Sequence, residues 1–304
     1  MDKNRNGMTV NDAVAQKMDE LRSEGRVNSW YRYRSMLRAL EEFGGDSIDF
    51  AEMTPEWLAE CECDWRSCGR NSTTINIYMK SLRCICNLHY GGPGPFASYR
   101  MPRPAARHMA LSSSEIRAIL HWNGTDDELA ESRDLWLFSY LCNGINFKDM
   151  LQLRHSDIRN GEIVFVRSKT RFSAGDTQVR AHVTPDMWDI IGRRGTSEAV
   201  TGRNGYIFGY LNGNESPFQL EMKVRKVIRR CNADMRKLAV ELSIPFFTTY
   251  TARHTFATVL QRKGVAVSYI SECLGHHSIR TTEAYLAGFE PEDREKFSVL
   301  LTDF

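Results

Sequence analysis

The sequence predicts a mainly α-helical chain with one small β-hairpin, arranged as a helical first domain and a larger α+β second domain. Three observations lead there. The 304 residues are more than one hydrophobic core usually serves and give a prior of two domains. Apolar residues recur at helical spacing along most of the chain, and only two short runs are rich in β-branched residues. Between residues 91 and 108, Gly91-Gly92-Pro93-Gly94-Pro95 and then Met101-Pro102-Arg103-Pro104 interrupt the pattern. Glycine and proline end helices, and the arginines keep the segment solvated. The expected domains are therefore 1–90 and 109–304, with a linker at 91–108.

The first domain reads as four helices. Asn11 is positioned to cap one carrying Val14, Met18 and Leu21, ended by Gly25. Asn28 or Ser29 opens a second, with Tyr33, Leu37, Leu40 and Phe43 on one face and Gly44-Gly45 as its stop. Thr54-Pro55-Glu56 starts a third with a capping hydroxyl, proline in the first turn and an acid at the positive end of the dipole. Ser72 caps a fourth, with Ile75, Tyr78, Leu82 and Ile85 in register. Short loops between short helices make a compact bundle.

In the second domain, Ser112 to Ser114 open a helix through Leu120, Leu135 to Asn143 reads as a buried helix, and Lys148 to Leu153 as a short one. Glu162 to Thr170 reads as a strand and Thr177 to Thr184 as its antiparallel partner, across a loop containing Gly175. Helices follow at 185–194, 217–242, 251–263 and 267–274, with a helical tail at 291–301.

Composition removes several function classes. With 42% apolar and 26% charged residues the chain is neither disordered nor fibrous. Its longest apolar candidate, Leu135 to Phe147, holds Asn143 and Gly144 and falls short of the roughly 20 residues a membrane span needs. No apolar signal-peptide core follows Met1, so a cytoplasmic location is expected. The net charge of +2 is too mild to imply nucleic acid, so any basic surface has to come from local clustering. Cys61, Cys63, Cys68, Cys84 and Cys86 lack paired C-x2-C spacing and read as reduced, small apolar residues; no metal site and no cofactor is expected.

Two segments carry chemistry. In Tyr250-Thr251-Ala252-Arg253-His254-Thr255-Phe256-Ala257-Thr258, Arg253 stands at the start of a helix, where the dipole disfavours cations. A bound anion would resolve the conflict, and so would an internal carboxylate. Further on stands Leu274-Gly275-His276-His277-Ser278-Ile279-Arg280-Thr281-Thr282-Glu283-Ala284-Tyr285. Together and in this order, Arg-His-Thr-Phe-Ala-Thr, Leu-Gly-His and Thr-Thr-x-x-Tyr resemble the motifs of the tyrosine recombinase (phage integrase) family, down to the spacing from His276 to Tyr285. The layout of helical domain, linker and catalytic domain is similar too, so the resemblance covers nearly the whole chain.

The resemblance implies a SAM-like core-binding domain and an α+β catalytic domain that cuts and rejoins duplex DNA through a 3′-phosphotyrosyl intermediate. Tyr285 matches the nucleophile, Arg253 the second of the family's two arginines, His276 a phosphate donor, and Lys169 the hairpin lysine that protonates the departing 5′ oxygen. It implies double-stranded DNA with a specific recombination site as partner, a homotetramer on that DNA, no membrane, and association with the nucleoid while bound. Side-chain cations supply the electrophile in this chemistry, so no metal is required.

Two positions depart from the family pattern. Asn146, in Gly144-Ile145-Asn146-Phe147-Lys148-Asp149-Met150, stands where the first arginine belongs, and Tyr250 stands where the family has histidine. Asp149 keeps the acidic position, with the implied role of bracing Arg253. Loss of the first arginine leaves two alternatives: a catalytically impaired DNA-binding accessory protein, or an enzyme in which another cation substitutes. Arg167 is the leading substitute, on the argument that a two-residue spacing on one strand puts it on the same face as Lys169; Arg171 and Lys148 follow it. The Gly-Ile-Asn-Phe-x-Asp-Met block resembles mobile-element recombinases of gut-type, Bacteroides-like anaerobes that lack an arm-binding domain, which favours the active enzyme.

For DNA, Arg32, Arg34 and Arg38 cluster on the second helix, and Thr73, Lys80 and Arg83 mark the fourth. By analogy with the family these two helices enter the major groove, and Asn146 is a further DNA contact. Arg100, Arg103 and Arg107 can cross a phosphate backbone, and Lys226, Arg229, Arg230 and Arg236 add a second basic stretch. In the tail, Phe297, Leu300, Leu301 and Phe304 form an apolar stripe suited to docking on a neighbouring protomer or on its own domain.

Overall fold

Thr9 starts the first helix through a reciprocal cap. Its hydroxyl accepts from the Asp12 amide at 3.1 Å while the Asp12 carboxylate accepts from the Thr9 amide at 3.1 Å. That helix, α1 (Val10–Ser23), is followed by α2 (Val27–Gly44), α3 (Pro55–Ser67) and α4 (Ser72–Tyr90). The computed structural model describes residues 7–103, 109–169, 178–283, 286 and 298–299. The chain divides into two compact units, Met1–Arg107 and His108–Phe304.

In the first unit Val14 and Leu21 of α1, Met36 and Leu40 of α2, Leu58 and Trp65 of α3, and Ile75, Met79 and Leu82 of α4 close one core. Trp65 Nε1 donates to the Ala39 carbonyl at 3.0 Å and fixes α3 on α2. Thr54 caps α3 as expected. Asn11 does not cap α1. It lies within the helix, accepts from the Ile48 amide at 3.1 Å and donates to the Gly45 carbonyl at 3.2 Å, pinning the loop after α2. Asn71 caps α4, one residue earlier than expected.

The expected linker begins as part of the first unit. Residues Gly94–Ala97 form a 3-10 turn that buries Phe96 in this core, and Tyr99 and Met101 pack against it. Asn76 Nδ2 donates to the Pro102 carbonyl at 2.6 Å. Aromatic burial overrides the solvating effect expected of the arginines. Three of the eight cysteines, Cys63, Cys68 and Cys84, are exposed, so the small-apolar reading holds only for the five buried ones.

The second unit runs α5 (Ser113–His121), α6 (Asp127–Leu141), α7 (Phe147–Met150), β1 (Ile158–Arg159), β2 (Glu162–Val166), β3 (Gln178–His182), α8 (Pro185–Arg194), α9 (Glu198–Thr201), α10 (Pro217–Glu241), α11 (Thr251–Arg262), α12 (Val267–Cys273) and α13 (Ile279–Glu283). α6 is its axis: Leu135, Trp136 and Phe138 are fully buried, and α8, α10 and α11 pack around it. The three strands form an antiparallel sheet in chain order, with Ile163 opposite Ala181 and Phe165 opposite Val179. β1 was not anticipated, although the turn into β2 is Asn160-Gly161 with both φ positive, the two-residue hairpin chemistry.

β2 ends at Val166 rather than continuing to Thr170. The Asp149 carboxylate accepts from the Ser168 amide at 3.0 Å and from its hydroxyl, which draws the chain after Val166 out of the ladder into a turn. Thr170 to Thr177, Arg107, and the tail positions Phe297, Leu300, Leu301 and Phe304 lie outside the described residues.

Candidate active site

Three backbone segments meet at the start of α11. The turn between α6 and α7 brings Gly144 against it, with φ +62° and so little room that a Cβ there would lie 2.7 Å from the Arg253 Cα. The turn after α12 brings Leu274, Gly275 and His276. The end of β2 brings Arg167.

Arg253 is 4% exposed. Its Nη1 donates to the Gly144 carbonyl at 3.1 Å, and its Nη2 donates to the Leu274 carbonyl and lies 3.3 Å from His276 Nε2. The guanidinium at this helix start is thus held by backbone carbonyls. Asp149, expected to brace it, takes its hydrogen bonds from Ser168.

Arg167 is 7% exposed, and its Nη1 donates to the carbonyls of Leu274 at 3.1 Å and Gly275 at 3.0 Å. The expected shared strand face with Lys169 is incorrect. The strand has ended, Arg167 turns inward and Lys169 is exposed in the turn. Arg167 nevertheless reaches the same carbonyl as Arg253. Gly275 makes room for it: φ is +59°, and a Cβ there would lie 2.7 Å from Val179 Cγ2 and 2.9 Å from Arg167 Cδ.

His276 joins this group. Burial first, then the positive charges of Arg253, Arg167 and Lys169, push its pKa down to about 4. The ring is therefore neutral near pH 7, in a field set by three cations. Its Nδ1 lies 2.9 Å from Oγ1 of the fully buried Thr282. Neutral imidazole beside concentrated positive charge suits an anion that accepts hydrogen bonds, such as a phosphate.

Asn146 is the N-cap residue of α7, and its side chain makes no cap hydrogen bond. Lys148, one alternative cation, pairs with the buried Glu221 at 2.8 Å. Arg171, the other, lies outside the described residues, as does Tyr285. Tyr250 stands at the N-cap of α11, 51% exposed, with its ring edge-on to His254 at 5.0 Å between centroids. Among the described residues no cluster of His, Cys, Asp and Glu could hold a metal ion, and no helix is long and apolar enough to cross a membrane.

Residues 110–290 match the phage integrase family, and residues 9–90 match the phage integrase SAM-like domain. The chain belongs to the phage integrase family. Among relatives of this integrase-family chain, a tyrosine recombinase of Pseudothermotoga lettingae is 43% identical over 237 residues, 76% of this chain and 74% of that one. A tyrosine recombinase of Thermosipho africanus is 25% identical over 234 residues, 75% of each. Its fold is that of the Tn1549 transposon integrase in complex with a circular intermediate DNA, with a TM-score of 0.71 at 16% identity, covering 97% of this chain and 99% of that one. It is also that of a lambda integrase dimer bound to a core site, with a TM-score of 0.67 at 16% identity, covering 91% and 95%.

In the integrase's first unit, Arg32, Arg34, Arg38, Thr73, Lys80 and Arg83 are all exposed. The guanidinium groups of Arg32 and Arg34 lie over the Tyr33 and Trp30 rings at 5.5 and 5.4 Å. The second basic stretch is partly neutralised within its own unit. Arg230 pairs with Glu131, and its neighbours Lys223, Arg225 and Lys237 pair with Glu215, Glu221 and Asp234. The residue types alone gave no sign of the Leu274 carbonyl or of Ser168, and Gly144, Gly275 and Thr282 stood only as motif letters without the contacts they make here. The available signal was the pair of glycines flanking the motif blocks.

Proposed function

We propose that this chain is a site-specific DNA recombinase, acting on duplex DNA at the nucleoid as a homotetramer. The Tyr285 oxygen, its phenol proton released to water, attacks the scissile phosphorus, the bond to the 5′ oxygen breaks, and the 3′ phosphate stays on the tyrosine. Lys169 donates the proton that the 5′ oxygen takes up. A 5′ hydroxyl from the partner strand, its proton passing to Lys169, then attacks the phosphotyrosine, which restores the phosphodiester and frees Tyr285 to regain its proton from water. Arg253 and Arg167 offset the charge of the pentacovalent transition state, and neutral His276 donates to a non-bridging oxygen. Tyr250 and Asn146 are polar contacts at the edge of the same phosphate. The first unit, with Arg32, Arg34, Arg38, Thr73, Lys80 and Arg83, grips the duplex.

The observation that carries this reading is the convergence of Arg253, Arg167 and His276 around the Leu274–Gly275 turn. It also favours an active enzyme over an accessory protein, because a second guanidinium is present despite Asn146. The test is covalent trapping on nicked duplexes taken from the DNA flanking the coding sequence. The wild-type chain should give a detergent-stable protein–DNA adduct, and Tyr285→Phe should bind the same DNA and give none. An adduct with the phenylalanine variant would refute the nucleophile.

A further inference from the structure

Among the described residues, two hydrogen-bond contacts of the His276 imidazole make different demands. Nε2 faces Nη2 of Arg253 at 3.3 Å, a group that can only donate. Nδ1 faces the Thr282 hydroxyl at 2.9 Å, a group that can donate or accept. Thr282 is fully buried and belongs to α13, three positions before Tyr285 in the sequence.

These partners fix the tautomer of the site as it stands. Nε2 has to accept from Arg253, so the single proton of the neutral ring sits on Nδ1 and is donated to Thr282. A phosphate oxygen in front of Nε2 demands the opposite. It only accepts, so Nε2 must carry the proton and Nδ1 must become the acceptor.

We propose that Thr282 is a positioning residue that lets His276 exchange one tautomer for the other when a phosphodiester enters, its hydroxyl rotating from acceptor to donor at Nδ1. This rests on the phosphodiester-cleaving reading of the site. One proton leaves Nδ1 and one arrives at Nε2, both exchanged with water, and the ring stays neutral throughout. A carboxylate at position 282 would hold the proton on Nδ1 and favour the charged ring, and a methyl group would leave Nδ1 without a partner in either state. A buried hydroxyl serves both states. Because Thr282 lies on α13, the ring's orientation is also tied to the helix that precedes the nucleophile in sequence.

The experiment uses the full chain carrying Tyr285→Phe and 15N-labelled histidine, with His276 assigned by its loss in His276→Gln. Orthovanadate is the probe for the phosphate position. The Thr282 parent and the Thr282→Ser variant should each show His276 with the proton on Nδ1, converting to Nε2 on addition of orthovanadate. Thr282→Val, near-isosteric and checked for folding by its melting curve, should keep the proton on Nδ1 without vanadate, because Arg253 still faces Nε2, and should convert only in part when vanadate is added. With Tyr285 restored, Thr282→Val should form adduct roughly 10²-fold more slowly, and Thr282→Ser should recover most of that loss.

A proton on Nε2 before vanadate, the same tautomer before and after it in the parent, or conversion as complete in the valine variant as in the parent would overturn the proposal. The phosphodiester reading is judged separately, by adduct formation with Tyr285 intact, which needs no change at Thr282.

Discussion

Arg167 and Arg253 donate to one and the same carbonyl oxygen, that of Leu274. Two guanidinium groups from separate elements, the end of β2 and the start of α11, are thereby held side by side, each almost fully buried. Placing like charges together in a low-dielectric interior is costly, and an anion shared between them offsets that cost. The geometry is the reason to look to Arg167 for the cation that position 146 lacks.

If Arg167 supplies that cation, Arg167→Ala should slow adduct formation by at least about 10²-fold with DNA binding nearly intact. Arg167→Lys should recover little, because a point charge cannot reproduce the fork. Asn146→Ala should cost much less than either. Single-turnover cleavage of a nicked site measures all three, and the reverse ranking would make Asn146 the phosphate ligand.

The depressed pKa of His276 predicts a pH dependence of stability. The unfolded imidazole takes up a proton near pH 6.5, whereas the folded one, buried and facing Arg253, Arg167 and Lys169, refuses it until about pH 4. Within that window the unfolded chain binds more protons, so stability falls as pH drops from 6.5 to 4; above 6.5 this contribution is flat. Urea unfolding of the wild type minus that of His276→Gln should show the slope. Parallel curves for the two proteins would contradict it.

Gly275→Ala should separate folding from chemistry. The new methyl group meets Arg167 Cδ and Val179 Cγ2 at a positive φ. Stability should fall by about 1–3 kcal/mol, seen as a lower melting temperature. Cleavage measured well below that temperature should fall much further, because Arg167 is displaced from the Leu274 carbonyl.

On the first unit, Lys80→Ala and Arg83→Ala should each weaken DNA binding and reduce the slope of log affinity against log salt by about one. Lys237→Ala, which removes the partner of Asp234 on α10, should leave that slope unchanged. Fluorescence anisotropy at several salt concentrations gives the slopes.

Much of this was legible from residue order. Thr54 and Ser112 announced their helices because a capping hydroxyl followed three residues later by a suitable amide is a local event. Asn11 misled because Thr9, with Asp12 as its reciprocal partner, was the better cap, leaving Asn11 to hold a distant loop. Arg167 was singled out by a strand-face argument that fails, since Asp149 draws Ser168 out of the ladder. It reaches the site by an inward turn instead. The Leu274 carbonyl could not be read at all: every residue has a carbonyl, and only the fold decides which one two arginines share. Thr282 stands in the sequence as one letter of a motif, and its contact with His276 needed the return of α13 towards that ring.

Gly144 has a consequence for how such a site can drift. With Arg253 against its α-carbon and a left-handed backbone, position 144 tolerates no side chain, so the turn leading to residue 146 is clamped in register. A chain that loses the arginine at 146 cannot recover it by sliding a neighbouring residue into place. A second cation then has to come from another strand or helix, and the end of β2, from which Arg167 reaches the Leu274 carbonyl, is one element that can deliver it.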